Sequence, residues 1–272
     1  FISFNGWSIN NTAFELIDKY SPECIKIQYC WDSFNSKDLR MSEKYFDKLY
    51  TFDIVDAKNP GWKLLPSFYE SKDIMIKEGN EDYDLFMIGA NHDGRYSFVR
   101  KVLRNLKFHD LNNYVKIFAH PINNLVMNFS IDCIKTILNF NHIHELLFKY
   151  GFENKEITIN QKIGYEEYMR IMQKSKCILD DNCDGQAGLS PRFIRAMILN
   201  KKVITTNKWA CDYSFVNEKN VLIVDKDKPV IDIDFIKSDI CPPKPSNLDS
   251  LELSNWVKIL IGEIECPTFE IN

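Results

Sequence analysis

The sequence predicts an α/β protein of two lobes built on buried parallel sheets. Three observations carry this. Apolar runs of strand length alternate with helix-period stretches along nearly the whole chain, the pattern of βα units rather than of hairpins. The strand runs are continuously apolar instead of alternating, as in sheets covered on both faces. The length of 272 residues also exceeds what one hydrophobic core normally holds.

In chain order the predicted strands are IKIQYC (25–30), DKLYTF (47–52), DLFMIGA (84–90), YVKIFAH (114–120), EITIN (156–160), KCILDD (176–181), KVITTN (202–207) and NVLIVD (220–225). Amphipathic stretches at 12–19, 36–45, 95–106, 131–150, 165–173, 191–199 and 251–261 predict the helices between and after them. The charged, poorly periodic segment 71–84 and the proline-rich CPPKPSN (241–247) mark two breaks. They divide the chain into a first lobe at 1–79, a second at 80–245 and a terminal helix within 246–272. The second lobe has enough strands for a complete doubly wound domain. The first offers only two convincing strands, so its opening strands are expected to be absent from this chain.

Composition excludes several classes. Thirty-two Ile and 19 Phe rule out disorder, and no apolar run approaches the roughly 18–20 residues of a membrane span. With 34 Lys+Arg against 38 Asp+Glu, the net charge of −4 argues against a nucleic-acid partner. The eight cysteines (24, 30, 133, 177, 183, 211, 241, 266) form no CxxC pair, which predicts reduced thiols in a cytoplasmic protein. The five histidines lack metal-ligand spacing, so neither metal nor cofactor is expected, and no GxSxG elbow or P-loop occurs.

In open α/β sheets ligands bind beyond the carboxyl ends of the strands, so the strand-to-helix turns are the candidate sites. IGANHDGR (88–95) offers Gly89 for close backbone approach, with Asn91 and Arg95 beside a helix start whose N–H groups suit an anion. A plain tight turn explains it equally. CILDDNCDGQAGLSPR (177–192) says more. A strand ends in Asp180, a loop carries Gln186 and Gly188, and Ser190–Pro191 fixes the helix start. Arg192 and Arg195 follow with no acid among them, although cations oppose the helix dipole there. A bound phosphate reverses that penalty; the bland alternative is two arginines reaching solvent. KKVITTN presents Thr205, Thr206 and Asn207 at a strand end, suited to sugar hydroxyls, a phosphate or a helix cap. QYCWDSF (28–34) places Asp32 at a strand end, as a general base facing a cleft or as an N-cap. Asp53 and Asp56 read as caps, and the basic run Arg95, Arg100, Lys101, Arg104 and Lys107 as a solvated face or an anion- and membrane-attracting one.

The block 165–207 resembles the C-terminal signature of bacterial lipopolysaccharide and capsule glycosyltransferases of the CgeB-like group. Asp180, Gln186, Gly188, Leu189, Ser190 and Arg192, then Lys201, Lys202, Ile204, Thr205, Thr206 and Asn207, match its pattern of a strand-end Asp, Q-x-G-L-T-x-R and K-K-x-I-T-T-N. YCWDSFNSKD, the segment 45–69 and YDLFMIGANHDGR (83–95) resemble further parts of that group in the same order. The resemblance implies two Rossmann-like lobes in the GT-B arrangement, with the last helix crossing back to the first lobe. It implies a nucleotide-sugar donor on the second lobe, its diphosphate near Gly89, Ser190 and Arg192, and metal-independent transfer to a glycan or lipid-linked glycan acceptor. The chain departs from the group in two ways: Arg195 stands where the group has an acid that holds the ribose hydroxyls, and the group's opening β/α units would precede Phe1. These departures keep alive a pseudo-transferase that binds glycan or a protein partner, and a sugar-nucleotide epimerase of the same architecture.

Overall fold

The computed structural model describes residues 1–6, 9–35, 39–40, 42–75, 81–118, 143–149, 156–238 and 246–270. The first lobe runs β1 (Ile2–Phe4), α1 (Asn11–Tyr20), β2 (Ile27–Cys30), β3 (Lys48–Thr51) and β4 (Trp62–Leu64). Its four strands lie in chain order and all pairs are parallel. α1 starts where Asn10 Oδ1 accepts from the Ala13 amide at 3.0 Å, and it buries Phe14.

This sheet has two strands more than expected. β1 and β4 are each three residues long, too short to show a period. β4 also lies between Gly61 and Pro66, where turn chemistry dominates the reading. The helix expected at 36–45 appears among the described residues only as a 3-10 turn, Glu43–Tyr45; 36–38 and 41 lie outside them.

The second lobe runs β5 (Tyr83–Ala90), α2 (Arg95–Leu106), β6 (Asn113–Phe118), α3 (Ile143–Lys149), β7 (Thr158–Ile159), α4 (Tyr165–Gln173), β8 (Ser175–Asp180), α5 (Pro191–Ile198), β9 (Lys202–Thr205), β10 (Val221–Ile223) and α6 (Ile233–Lys237). Strand order is β10-β9-β8-β5-β6-β7, and every pair is parallel. The chain winds outward from β5 to β7, returns to β8 and winds outward the other way. β5 and β8 therefore flank the switch point, where the crevice of a doubly wound sheet opens. Only part of the expected 131–150 helix is described, as α3. His120, His142, Cys133 and Cys241, with most of the 241–247 break, fall outside the described residues.

The last helix, α7 (Leu253–Ile261), packs on the first sheet. Trp256 Nε1 donates to the Pro66 carbonyl at 2.9 Å, and its ring meets Tyr29 edge-on at 4.8 Å. Tyr50 OH donates to the Ile259 carbonyl at 3.2 Å, and Lys48 Nζ to that of Ile261 at 2.7 Å. One buried cluster joins Tyr29, Phe52 and Leu64 of the first lobe to Phe86, Phe193 and Ile259. The two sheets thus share apolar core as well as a cleft. Among the described residues no helix is long and apolar enough to cross a membrane.

Candidate functional site

The cleft between the lobes holds a cavity of about 650 Å³ at the β5/β8 switch point. Tyr29, Trp31, Asp32, Phe52, Ser67 and Phe68 line its first-lobe wall. Ile88, Arg95, Asp180, Asp181, Gln186, Gly188, Ser190, Arg192 and Arg195 contribute to the opposite wall.

Each polar group on the second-lobe wall is placed by a strand end or a helix start. Asp180 ends β8 buried, and its Oδ1 accepts from Ser190 Oγ at 2.7 Å and from Arg192 Nη1 at 3.3 Å. Its Oδ2 accepts from Thr205 Oγ1 at 3.3 Å. Ser190 in turn caps α5, accepting from the Phe193 amide at 3.1 Å. Arg192 Nη2 donates to the Ile88 carbonyl at 2.8 Å. Arg95 Nη1 donates to the Ala90 carbonyl at 2.6 Å, and its Nε lies 3.4 Å from Asp181 Oδ2. Both guanidinium groups crowd Gly89: a Cβ there would lie 3.0 Å from Arg192 Nη2 and 3.2 Å from Arg95 Nη1. Glycine at 89 is what lets two cations meet over one strand end.

Charge on this wall is balanced. Asp180 faces Arg192, while Asp181 faces Arg95 and, at 3.4 Å, Lys226. Burial pushes the Asp181 carboxyl up from its ordinary value, against the pull of Lys226 and Arg95. The balance is imperfect in geometry. Among the described residues Arg192 Nε is buried without a hydrogen-bond partner, and Arg95 Nε and Asp181 Oδ2, 3.4 Å apart, face each other as an ion pair without a hydrogen bond. Such groups gain from a ligand that aligns with them.

Several expected ligand contacts have other duties. At α2, the Tyr96 amide donates to Asn91 Oδ1 at 2.9 Å and the Ser97 amide to Glu145 Oε1 at 2.6 Å, so a carboxylate from α3 already sits at that helix start. Asn91 Nδ2 donates to Glu145 Oε2 at 2.6 Å and fastens α2 to α3. The acid missing from the sequence around Arg195 comes from the tertiary fold: Arg195 Nε lies 3.1 Å from Asp73 Oδ2, a fully buried carboxylate of the inter-lobe segment. Asn207 is buried and donates to the Ala187 and Gly188 carbonyls at 3.1 and 3.2 Å, and Leu189 belongs to the core. Thr206 Oγ1 donates to Asp181 Oδ1 at 3.3 Å and accepts from the Asn182 amide at 2.9 Å.

The loop carrying Gln186 and Gly188 is a joint between the lobes. Asp53 Oδ2 accepts from the Ala187 amide at 2.7 Å and the Gly188 amide at 3.2 Å, and also from Ser33 Oγ. Its Oδ1 caps its own turn through the Val55 amide at 2.9 Å. The Phe52 ring lies flush on Gly188, where a Cβ would come within 2.2 Å of it. Glycine is needed here for the close approach of the first lobe.

On the first-lobe wall Asp32 Oδ2 accepts from Asn5 Nδ2 at 2.9 Å, and Asn5 Oδ1 accepts from the Trp31 amide at 3.0 Å. Asn5 manages this at φ 63°, in the left-handed region that asparagine tolerates. The described cysteines are unpaired thiols, and burial pushes Cys30 and Cys177 up to about 12, so both are inert at neutral pH. Among the described residues no three His, Cys, Asp or Glu side chains are placed to hold a metal ion. Asp73, Glu145, Lys226 and Phe68 carry no signal in the sequence around them. Each reaches the site from a distant segment, and no local pattern announces such a pairing.

Fold and site together define a two-lobed α/β protein with a polar cleft at its switch point, the arrangement that GT-B denotes. No family model matches the chain, and no curated protein sequence does. Among solved structures it is similar to the N-terminal domain of trehalose-6-phosphate phosphatase from Candida albicans, at 12% identity and TM-score 0.52, covering 92% of this chain and 66% of that one. At that identity the likeness shows the fold alone. HepE of Anabaena, in complex with UDP and glucose, aligns at 8% identity and TM-score 0.47 over 80% of this chain and 64% of that one. The lipopolysaccharide outer core galactosyltransferase WaaB aligns at 11% and 0.44, over 93% and 72%. These two carry no argument about mechanism. The chain spans slightly less than two thirds of the length of HepE and of the Candida domain.

Proposed function

We propose that this chain is a glycosyltransferase that moves a sugar from a nucleoside-diphosphate donor to a surface glycan such as lipopolysaccharide or capsule, akin to the CgeB-like group. The observation that carries the reading is the convergence of Arg95 and Arg192 over Gly89 in the inter-lobe cavity. In this reading the diphosphate lies beside Gly89 and Ser190, takes Arg192 from Asp180 and Arg95 from Asp181, and aligns with Arg192 Nε, which is buried without a hydrogen bond. The guanidinium groups, rather than a metal ion, stabilise the departing diphosphate as the bond from the anomeric carbon to its phosphate oxygen breaks. The acceptor hydroxyl oxygen forms the new bond. Where transfer inverts the anomeric centre, the Asp32 carboxylate takes the hydroxyl proton.

Arg192→Ala tests the assignment: turnover falls at least about tenfold while cooperative melting is kept. An unchanged rate contradicts it. A second reading, a glycan-binding pseudo-transferase, draws on one observation: every cation of the cavity wall already faces a carboxylate. Membrane contact is assigned to the far side of the second lobe. There Arg100, Arg104, Lys107 and Lys116 line a groove of about 820 Å³, and Phe108 beside it is 89% exposed. Co-sedimentation with vesicles containing anionic lipid, lost on Arg104→Glu/Lys107→Glu, is the expected result; equal sedimentation of that variant contradicts the contact.

A further inference from the structure

The first-lobe wall of the cavity is aromatic and carries no cation among its described lining residues. Tyr29 and Phe52 on this wall are buried, whereas Trp31, which lines the same cavity, keeps 52% of its surface exposed. Exposing an indole costs hydrophobic free energy, and water alone gives no return for it. Trp31 is also held in place. Phe4 stacks on it with ring centres 4.9 Å apart and planes 24° from parallel, and the Trp31 amide is anchored to Asn5. Asp32, next in sequence, lines the same cavity, and Phe68 adds a second aromatic side chain. A rigid aromatic face beside a carboxylate matches a pyranose, which offers an apolar C–H face and a rim of hydroxyl donors. A carboxylate has about four acceptor positions, so Asp32 can take a sugar hydroxyl in addition to the partners it already has, Asn5 among them.

From this geometry we infer that the first-lobe wall is a platform for an uncharged pyranose of a glycan, stacked on Trp31 and hydrogen-bonded to Asp32. The inference rests on the transferase reading for the name acceptor but not for the binding itself. It commits to chemistry: an acidic or phosphorylated sugar would meet Asp32 with no cation on that wall to offset the repulsion.

The test titrates the whole chain with maltohexaose, cellohexaose, chitohexaose and, as the acidic probe, hexagalacturonate. Intrinsic tryptophan emission and calorimetry are the readouts. At least one neutral oligosaccharide binds and shifts the emission of exposed Trp31; Trp62 and Trp256 are buried, and the Trp31→Phe variant separates its signal from those of half-buried Trp209 and of Trp7. Trp31→Ala weakens that binding by about tenfold or more. Trp31→Phe keeps affinity within a few-fold and loses the emission change, a pattern that misfolding cannot produce. Binding of none of the neutral probes, equal binding of hexagalacturonate, or wild-type affinity in Trp31→Ala each overturns the platform. Nucleotide binding is measured on the same samples: a nucleotide response without glycan binding removes the platform alone, and the reverse removes the transferase reading alone.

Discussion

The two walls of the cleft are built on opposite principles. The second-lobe wall is a set of ion pairs at strand ends and a helix start, Arg192 with Asp180 and Arg95 with Asp181, on a doubly wound sheet. The first-lobe wall is aromatic with one carboxylate, on a four-stranded sheet braced by α7. A charged wall needs partners at every position, so its geometry is set by what it must exchange with a ligand. An aromatic wall needs only shape. The difference suits an anionic group on one wall and a neutral sugar ring of a second ligand on the other. The clamp at Asp53 and Gly188 fixes the distance between the two walls.

Breaking that clamp has the largest expected effect. Asp53→Ala strips the acceptor from two buried amides, costing about 3 kcal/mol and lowering Tm by roughly 6–12 °C. A fall below about 2 °C would show that the walls are held by apolar contact alone. Next comes Arg195→Glu, which sets a second carboxylate against buried Asp73. It is expected to destabilise by about 2–3 kcal/mol without raising nucleotide affinity, and Asp73→Asn in the same chain restores most of the loss. A gain of nucleotide affinity with unchanged melting would instead put position 195 at the ligand. Asp180→Asn removes the charge that competes for Arg192, so nucleotide binding tightens about three- to tenfold. Weaker binding would make Asp180 a ligand contact rather than a competitor.

The smallest effect concerns Asp56, which accepts from the Phe34 amide at 2.8 Å and so steadies the loop bearing Trp31 and Asp32. Burial pushes its carboxyl up to about 6 from the ordinary 3.8. The folded protein therefore holds this proton more tightly than the unfolded chain. The stability this lends is full below about pH 4 and is lost as pH rises through about 6. Asp56→Asn should stabilise at pH 7 by about 1 kcal/mol after solvent screening, and by nothing below pH 4. A benefit that persists at pH 3.5 would trace it to another cause.

The second lobe was the more legible half. Its long apolar runs located β5, β6, β8 and β9, and the Ser-Pro start of α5 was visible because capping is local chemistry. The short β1 and β4 were not, since three residues carry no period. The site divides the same way. Asp180, Ser190 and Arg192 sit close in sequence and form one local pattern. The contacts that reach this stretch from the first lobe carry no local pattern. Asp53 reaches Ala187 across 134 residues, and Asp73 reaches Arg195 across 122. The sequence marks Asp53 as a cap; it caps its own turn and also clamps the second lobe, a duty set by packing alone.

On the proposed function the charged wall exchanges its carboxylates for a diphosphate. A thermal-shift titration of the chain with UDP, GDP, CMP and dTDP, with and without chelator, tests it most directly. At about a hundredfold the dissociation constant a ligand adds roughly 2.7 kcal/mol, several degrees in Tm. Such a rise is expected with one nucleoside diphosphate, indifferent to chelator and lost in Arg192→Ala. Cooperative melting with no shift for any of the four would contradict it, and the cleft would then belong to a glycan-binding protein that transfers nothing.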